Sequence, residues 1–390
     1  MDDEKGIKDG SKKHRSMPSV KKQTDTFFMQ RALELAAQAR GQTSPNPMVG
    51  AVLVKNGKII AEAWHQKAGE DHAERIALKK AGKSAQGATL YVSLEPCCHF
   101  GKTPPCVDII KKSGVSRVVA AVRDPFPQVS GKGFDVLKNA GIEVVEGVLE
   151  KEARRLNEVF FTVHEKKRPF VMLKWAMSLD GRTSNDWGHS KWITCEQSRE
   201  FAHRLRSWHD AILVGVGTII ADKPKLTVRL RDFNRTQPAC IILDPKLDTP
   251  PDSPCFNEDH EIYIISSPIK GIALKNKAEK LIQKKAKIIS IDAHNDKFHI
   301  PNVLKKLLQA GIQSIFVEGG RRVAGSFFEA GVVDKIGAFI APKIIGGFAP
   351  TSPLICNPSC NKNFRSLQDV AIKTIGSDGS DVYIEAYLTL

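Results

Sequence analysis

Residues 72–74 read HAE, and residues 94–106 read LEPCCHFGKTPPC. His72, Cys97 and Cys106 supply three ligands of the kind that zinc prefers, and three protein ligands leave the fourth position open for water, as catalytic zinc sites do. The two prolines before the last cysteine suit the first turn of a helix, whose N-terminus favours a thiolate. The stretch therefore predicts a catalytic zinc centre.

Glu74 follows the histidine by two residues, where a carboxylate can move protons to and from an activated water instead of binding the metal. Cys98 and His99 are also possible ligands, and with one of them the cluster could close into a structural site with four ligands. A structural site would explain neither Glu74 nor the flanking prolines. The pattern therefore favours Glu74 as the catalytic acid and base.

The segments around this stretch alternate between strands and helices, which indicates a layered α/β domain with a mostly parallel sheet. A second alternation starts at Phe170, after a charged segment that ends in a proline and is typical of a solvated linker. Residues 1–23 lack apolar periodicity and are expected to form a disordered basic tail. The predicted units are the tail, a first domain at 24–149, a linker at 150–168 and a second domain at 169–390.

The net charge of +15 over 390 residues is compatible with a nucleic-acid surface or with pockets for phosphorylated small molecules. No apolar run approaches the ~18 residues of a membrane span, so we expect no membrane partner and a cytoplasmic protein. The eight cysteines are expected to be reduced thiols, since in a chain of this length the cysteine pattern indicates a metal site more strongly than a set of disulfides.

The motif PCCHFGKTPPC resembles the deaminase half of the riboflavin-biosynthesis deaminase/reductase family, as does DPFPQV at 124–129, where Phe126 replaces the usual Asn. Four later stretches resemble the reductase half of that family: KWAMSLDGR at 174–182, SKWIT at 190–194, DAILVGVGTIIAD at 210–222 and APKIIG at 341–346. The resemblance implies an N-terminal cytidine-deaminase-like α/β/α layered domain and a C-terminal dihydrofolate-reductase-like α/β domain.

The same resemblance implies two activities in riboflavin biosynthesis. The first domain would use zinc to deaminate 2,5-diamino-6-(5-phosphoribosylamino)pyrimidin-4(3H)-one. The second would use NADPH to reduce the ribosyl side chain of 5-amino-6-(5-phosphoribosylamino)uracil to the ribitylamino product. The expected partner is thus a phosphorylated pyrimidine and not a nucleic acid, in a homo-oligomer that is a dimer or tetramer.

The resemblance also implies site residues. In the first domain, substrate contacts would fall on Asn46, His65 and Lys102. In the second domain, NADPH contacts would fall on Ala176, Trp192, Thr218, Asp222, Gly320, Arg321, Arg322, Val323, Ala324, Gly325 and Ser326. Contacts to the ribosyl substrate would fall on Lys174, Ser190, Arg206, Leu226, Arg229 and Glu318. Arg206 and Arg229 are expected at the phosphate, which a guanidinium binds through a two-pronged contact. Lys174 and Glu318 could instead form a structural ion pair with each other.

Two functions from other classes share some of these features. A nucleic-acid deaminase would use the same histidine and glutamate chemistry and the positive charge, but it offers no role for the second domain. A zinc-stabilised binding module without turnover would unfold when the metal is removed, with no activity to lose.

Overall fold

A computed structural model describes residues 24–100, 104–348, 351–356, 365–377 and 380–388. The elements of the first domain are, in chain order, α1 (Asp25–Ala37), β1 (Gly50–Lys55), β2 (Lys58–Trp64), α2 (Ala73–Ala81), β3 (Thr89–Val92), α3 (Cys106–Ser113), β4 (Arg117–Ala120), α4 (Lys132–Asn139) and β5 (Glu143–Glu146). A short 3-10 helix, Gly82–Ala85, follows α2.

The first sheet has the strand order β2-β1-β3-β4-β5. The last three strands are parallel, but β1 runs antiparallel to both β2 and β3, so the sheet is mixed and the expectation of a mostly parallel sheet is only half right. The antiparallel edge follows from the Asn56-Gly57 turn, where both residues have positive φ (53° and 74°), as a two-residue hairpin requires.

Helices cover both faces of this sheet. On β1, Ala51 and Leu53 face a core formed with α2, α3 and α4, whereas Val52 and Val54 face a second core formed with α1. Since side chains alternate along a strand, this two-sided burial produces three layers. The layering puts the first residues of α2 and α3 on the same side of the sheet.

The segment expected to be a solvated linker is ordered and partly buried. It forms α5 (Glu150–Leu156) and α6 (Glu158–Lys166), and Ala153, Asn157 and Phe161 are buried. The Asn157 side chain accepts a hydrogen bond from the Met48 backbone N–H (2.8 Å) and donates one to the Met48 carbonyl (2.9 Å). The charge run therefore marks only the exposed face of helices that pack against the first domain.

The second domain is built on nine strands. Its elements are β6 (Phe170–Ser178), α7 (Glu196–Arg206), β7 (Ala211–Gly215), α8 (Val216–Asp222), β8 (Ala239–Leu243), β9 (Ile262–Ser266), α9 (Ile272–Gln283), β10 (Ala286–Ser290), β11 (Ala293–His294), β12 (Lys297–Phe298), α10 (Ile300–Gln309), β13 (Ser314–Val317), α11 (Arg321–Glu329), β14 (Lys335–Ala341), β15 (Leu367–Ile375) and β16 (Asp381–Leu388). The strand order is β10-β9-β8-β7-β13-β6-β14-β16-β15, with β11 and β12 paired separately.

The first seven strands in this order, from β10 through β9, β8, β7, β13 and β6 to β14, run parallel. The pairs β14/β16 and β16/β15 are antiparallel. Strands β7, β8, β9 and β13 are buried along almost their whole length, as their near-continuous apolar sequences predict, whereas the edge strand β10 is only partly buried. Their carboxyl ends meet along one edge, where open α/β sheets bind ligands. Among the described residues, no helix is both long and apolar enough to cross a bilayer.

Candidate active sites

The predicted zinc ligands come together in the first domain. His72 is the residue before α2, Cys106 is the first residue of α3, and Cys97 lies in the segment that follows β3. The His72 Nδ1 atom lies 3.5 Å from the Cys97 Sγ and 3.3 Å from the Cys106 Sγ. Tetrahedral zinc with typical Zn–N and Zn–S bonds would need these atoms about 3.6 Å apart. The donor set and its spacing therefore fit zinc.

The two thiols share one proton, which leaves a negative charge in the cluster. A hydrogen bond from the Cys106 thiol, reinforced by His72, lowers the pKa of Cys97 to about 4 although burial opposes it. The pKa of Cys106 is raised well above its ordinary value, because its proton is shared with the Cys97 sulfur and because the thiol is buried. A divalent ion would stabilise both thiolates at once.

Glu74 lies in the first turn of α2 and is only 2% exposed. Its Oε2 atom is buried and makes no hydrogen bond within the described part of the chain. Burial raises the pKa of this carboxyl group. An unpartnered carboxylate oxygen beside a three-ligand cluster is free to exchange a proton with a reacting molecule.

Asn46 and His65 form a hydrogen-bonded pair on the wall of the same pocket. The Asn46 Nδ2 atom lies 3.1 Å from His65 Nε2, and His65 Nδ1 lies 3.1 Å from the Asp71 carbonyl oxygen. A carbonyl can only accept, so Nδ1 carries the proton and Nε2 accepts from the amide of Asn46. Burial lowers the pKa of His65, which keeps its ring neutral. The pair thus orients the amide oxygen of Asn46.

The pocket that joins these residues has a volume of about 410 Å³. The alternative ligands take no part in the metal cluster: the Cys98 sulfur lies 3.8 Å from the Gln128 carbonyl oxygen, and only His72, Cys97 and Cys106 group together among the described residues. His99 lines the pocket instead. The predicted substrate contact Lys102 lies outside the described residues.

One residue that sequence reasoning missed is Glu95, which is 3% exposed. Its carboxylate accepts hydrogen bonds from the backbone N–H groups of Asp124, Gly131 and Gly133 at 3.1, 2.9 and 2.9 Å. It therefore fixes the loop that carries Asp124 into the pocket, where burial raises the pKa of Asp124 to about 7. The available signal was an acidic residue three positions after a buried strand.

In the second domain, the predicted cofactor turn lies where β13 leads into α11. A Cβ atom on Gly319 would come within 2.6 Å of the Val323 Cβ, and one on Gly215 within 2.8 Å of a Val323 methyl group. Only glycines at both positions let α11 approach β7 this closely. The approach brings Thr218, at the start of α8, next to Gly320.

The predicted contacts Arg206 and Glu318 bind each other. The Arg206 Nε and Nη2 atoms donate to the two Glu318 carboxylate oxygens at 2.7 and 2.6 Å, and Nη1 donates to the Thr227 carbonyl at 2.9 Å. The alternative pairing of Lys174 with Glu318 is wrong, because Arg206 occupies the carboxylate. Burial would raise the pKa of Glu318, but the Arg206 and Lys174 cations outweigh it and lower the pKa to about 2.

Lys174 lies on β6 with its Nζ atom 5.7 Å from the centre of the Phe339 ring. It forms no ion pair with a described residue, and burial lowers its pKa. Ala176 follows two residues later on the same strand. Both lie toward the carboxyl end of β6, near the strand end that precedes Glu318.

The remaining predicted contacts are more scattered. Arg229 is exposed, with one guanidinium nitrogen 3.4 Å from the Thr227 hydroxyl, whereas Leu226 is buried at a positive φ of 56°. Asp222 is exposed at the end of α8. Ser190 and Trp192 belong to an exposed loop, in which the Arg199 guanidinium stacks 4.4 Å from the Trp192 ring.

The fold and the metal cluster together define a deaminase of the cytidine deaminase class joined to a second α/β enzyme domain. Residues 22–122 match the family model of the cytidine and deoxycytidylate deaminase zinc-binding region, and residues 169–379 match that of the RibD C-terminal domain. The riboflavin biosynthesis protein RibD of Aquifex aeolicus is 49% identical over 325 residues, which cover 83% of this chain and 89% of the relative.

Two solved structures agree with this match across both domains. RibD of Acinetobacter baumannii has a TM-score of 0.80 at 34% identity. A diaminohydroxyphosphoribosylaminopyrimidine deaminase/5-amino-6-(5-phosphoribosylamino)uracil reductase of Thermotoga maritima has a TM-score of 0.79 at 37% identity. Each comparison covers 94% of this chain and 99% of the other. The chain belongs to the RibD family, the bifunctional deaminase/reductases of riboflavin biosynthesis, so the predicted fold class and pair of activities are confirmed.

Proposed function

We propose that the first domain deaminates the diaminopyrimidinone ribosyl phosphate, with zinc held by His72, Cys97 and Cys106. The observation that carries this assignment is the buried, unpartnered Oε2 of Glu74 beside the three-ligand cluster. Zinc, when bound, supplies the polarisation that makes water nucleophilic at neutral pH. Glu74 accepts the proton of the attacking water at Oε2 and delivers it to the leaving amino group.

The raised pKa of Glu74 suits both halves of that proton transfer. A carboxyl group with an ordinary pKa would hold a proton too weakly to return it to the departing nitrogen. Burial raises the pKa of Glu74, so the same oxygen can hold the proton between its uptake from water and its release to the leaving group. The oriented amide of Asn46 is proposed to bind the pyrimidine ring, with His65 fixing its orientation.

The test compares the variants Glu74→Gln and Cys106→Ser, assayed for ammonia release and zinc content. Glu74→Gln should keep zinc and lose about 10²–10⁴-fold in deamination rate, the typical contribution of acid/base catalysis. Cys106→Ser should lose the metal as well as the activity. A Glu74→Gln enzyme that deaminates at the wild-type rate would remove the glutamate from the mechanism.

For the second domain, we propose that NADPH binds at the β13–α11 turn, with its phosphates at residues 320–326. The exposed Arg321 and Arg322 side chains and the N-terminus of the nine-residue α11 support an anionic ligand there. Ala176, Trp192, Thr218 and Asp222 are the further proposed cofactor contacts. NADPH, when bound, supplies the hydride that reduces the ribosyl carbon.

The proposed substrate contacts of the reductase bind different parts of the substrate. Arg229 is exposed and is the better candidate for the phosphate, since the donors of Arg206 are already engaged by Glu318 and Thr227. Lys174 and Ser190 are proposed to bind the ribose hydroxyls, and Leu226 is proposed as an apolar contact. Glu318, whose two oxygens accept from Arg206, is proposed to act on the substrate through its charge beside Lys174. Arg229→Ala should therefore raise the substrate KM while leaving the KM for NADPH unchanged, and the reverse result would place Arg229 on the cofactor. Parallel assays with NADPH and NADH would determine the cofactor preference.

We further propose a cytoplasmic homodimer formed through β15. This strand is the last in the nine-stranded order, and Leu367, Val370 and Ile372 on it are 43%, 51% and 70% exposed. Exposed edge strands that carry apolar side chains are usually covered in native proteins. Light scattering should give a dimer that Ile372→Asp dissociates, whereas Ile282→Asp, at an exposed position on α9, should not. A monomeric wild-type chain would refute the proposal.

A further inference from the structure

Helix α6 is tied to both domains. At its start, Asn157 holds the backbone of Met48 in the first domain. Glu158 accepts a hydrogen bond from Lys335 of β14 at 2.8 Å and another from the Tyr387 hydroxyl of β16. At the other end, Lys166 donates to Asp334 at 2.8 Å. These contacts fix the helix relative to the deaminase pocket and to the reductase sheet at the same time.

The helix turns two aromatic side chains toward the deaminase pocket. Phe160 and His164, one helical turn apart, both line the cavity that contains Glu74. Their rings lie 4.5 Å apart, and His164 also lies 5.2 Å from the ring of Phe126 on the Glu95-anchored loop. Two of the three residues of this aromatic wall, which is formed by Phe126, Phe160 and His164, therefore lie outside the catalytic motifs.

The second domain reaches the same cavity through Gln313, the residue before β13. Its backbone is held on both sides, because its N–H donates to Asp210 at 2.9 Å and its carbonyl accepts from Phe170 at 2.8 Å. Within the part of the chain that the structure describes, neither the Gln313 amide nor the His164 ring nitrogens form a hydrogen bond. The cavity thus contains polar groups with no protein partner.

The chemistry of these two groups limits what they can bind. Burial, together with the nearby Lys167 cation, lowers the pKa of His164, so the ring is neutral at neutral pH. An amide and a neutral imidazole each offer a donor and an acceptor but no charge. Hydroxyl groups match such partners, whereas a phosphate is bound preferentially by cations.

We propose that His164 and Gln313 bind the ribose hydroxyls of the deamination substrate, so that the reductase domain supplies part of the specificity of the deaminase. This inference rests on the proposed deamination reaction at Glu74. It makes the deaminase pocket a joint structure of both domains and of α6. The wall then discriminates a nucleotide-like substrate from a free base, which could enter the zinc end of the pocket equally well.

The test uses the full chain with His164→Ala, His164→Gln and Gln313→Ala, in steady-state deamination assays followed by ammonia release. Loss of one neutral hydrogen bond should raise the KM by about 3- to 10-fold, with kcat within about 2-fold of wild type. His164→Gln keeps a neutral donor and acceptor and should recover most of the loss. Zinc content and NADPH-dependent reduction should be unchanged in all three variants.

The matched controls are Glu165→Gln, next to His164 but exposed and paired with Arg154, and Gln309→Ala, exposed on α10. Both should retain the wild-type KM. If Glu74→Gln is inactive as expected while His164→Ala and Gln313→Ala keep the wild-type KM, the inference is overturned and the reaction assignment stands. If Glu74→Gln remains active, the reaction assignment itself fails.

Discussion

Glu318→Gln is expected to destabilise the reductase domain strongly, because the change removes the partner of a buried cation. The Arg206 and Glu318 side chains are only 14% and 10% exposed and share two hydrogen bonds. Folding lowers the pKa of Glu318 from 4.5 to about 2. At 1.36 kcal/mol per unit, that shift corresponds to roughly 3 kcal/mol of stability, in line with the ~3–5 kcal/mol typical of breaking a buried pair.

The sign of the shift fixes the pH dependence. The pKa of Glu318 is lower in the folded than in the unfolded protein, so the stabilisation is fully present above pH 4.5. It is lost progressively as the pH falls from there through about 2. The difference in unfolding free energy between wild type and Glu318→Gln should therefore be largest near neutral pH and shrink in acid.

The assay is a thermal and urea melt followed by tryptophan fluorescence, which reports mainly on the second domain because four of the five tryptophans lie after residue 168. A loss of roughly 3 kcal/mol should lower the Tm by about 6–12 °C. The control Glu200→Gln removes an exposed pair with Arg204 and should change the unfolding free energy by less than about 1 kcal/mol. The apolar double variant Arg206→Met/Glu318→Leu should recover much of the stability. A Glu318→Gln protein that melts like wild type would refute the assigned role of this pair.

Three further outcomes are expected. Cys98→Ser should keep zinc and deaminate normally, as measured by metal content and ammonia release, since its sulfur faces the Gln128 carbonyl; zinc loss would restore it as a ligand. Glu95→Gln should keep zinc but lose deamination activity and about 1–3 kcal/mol of stability in a urea melt. The reason is that one amide oxygen cannot replace a carboxylate that accepts hydrogen bonds from three N–H groups, and unchanged activity would contradict the anchoring role of Glu95. Gly319→Ala should raise the KM for NADPH and lower the Tm, since the new Cβ would meet Val323 at 2.6 Å, whereas Gly217→Ala, with open space around it, should do neither.

The zinc cluster could be predicted from sequence because its ligands lie in local motifs that begin helices. His72 and Cys106 are fixed by the starts of α2 and α3, so the spacing of residue types already implied their meeting. The strands β8 and β13 were equally accessible, since a continuous apolar run is itself the signal of a buried parallel strand. Local pattern and final structure agree wherever the deciding interactions are close in sequence.

The Arg206–Glu318 pair could not be predicted in this way, because its two residues are 112 positions apart and its existence depends on how α7 packs beside β13. Sequence reasoning expected Lys174 and Glu318 to contact the substrate and considered a pair between them only as the alternative, because both border apolar strands. Where two cations lie near one carboxylate, the three-dimensional geometry determines which of them forms the ion pair. Here the guanidinium of Arg206 reaches both oxygens of Glu318, while Lys174 reaches neither. Strand β15 could not be predicted from a local pattern, because it is exposed over nearly its whole length and lacks an alternating apolar pattern. Strand β14 is a buried apolar run that sequence reasoning overlooked.

The ordered helix α6 connects the two domains and contacts both of them. Lys335 is 8% exposed and needs both Glu158 and Glu385 at 2.8 and 3.0 Å, so the reductase sheet is electrostatically complete only with α6 in place. The same helix presents Phe160 and His164 to the deaminase pocket. A flexible linker would leave Lys335 underpaired on one side and the pocket wall incomplete on the other. The connection between the domains therefore works as a shared structural element, which supplies Phe160 and His164 to the deaminase pocket and the Glu158 carboxylate to Lys335 of the reductase sheet.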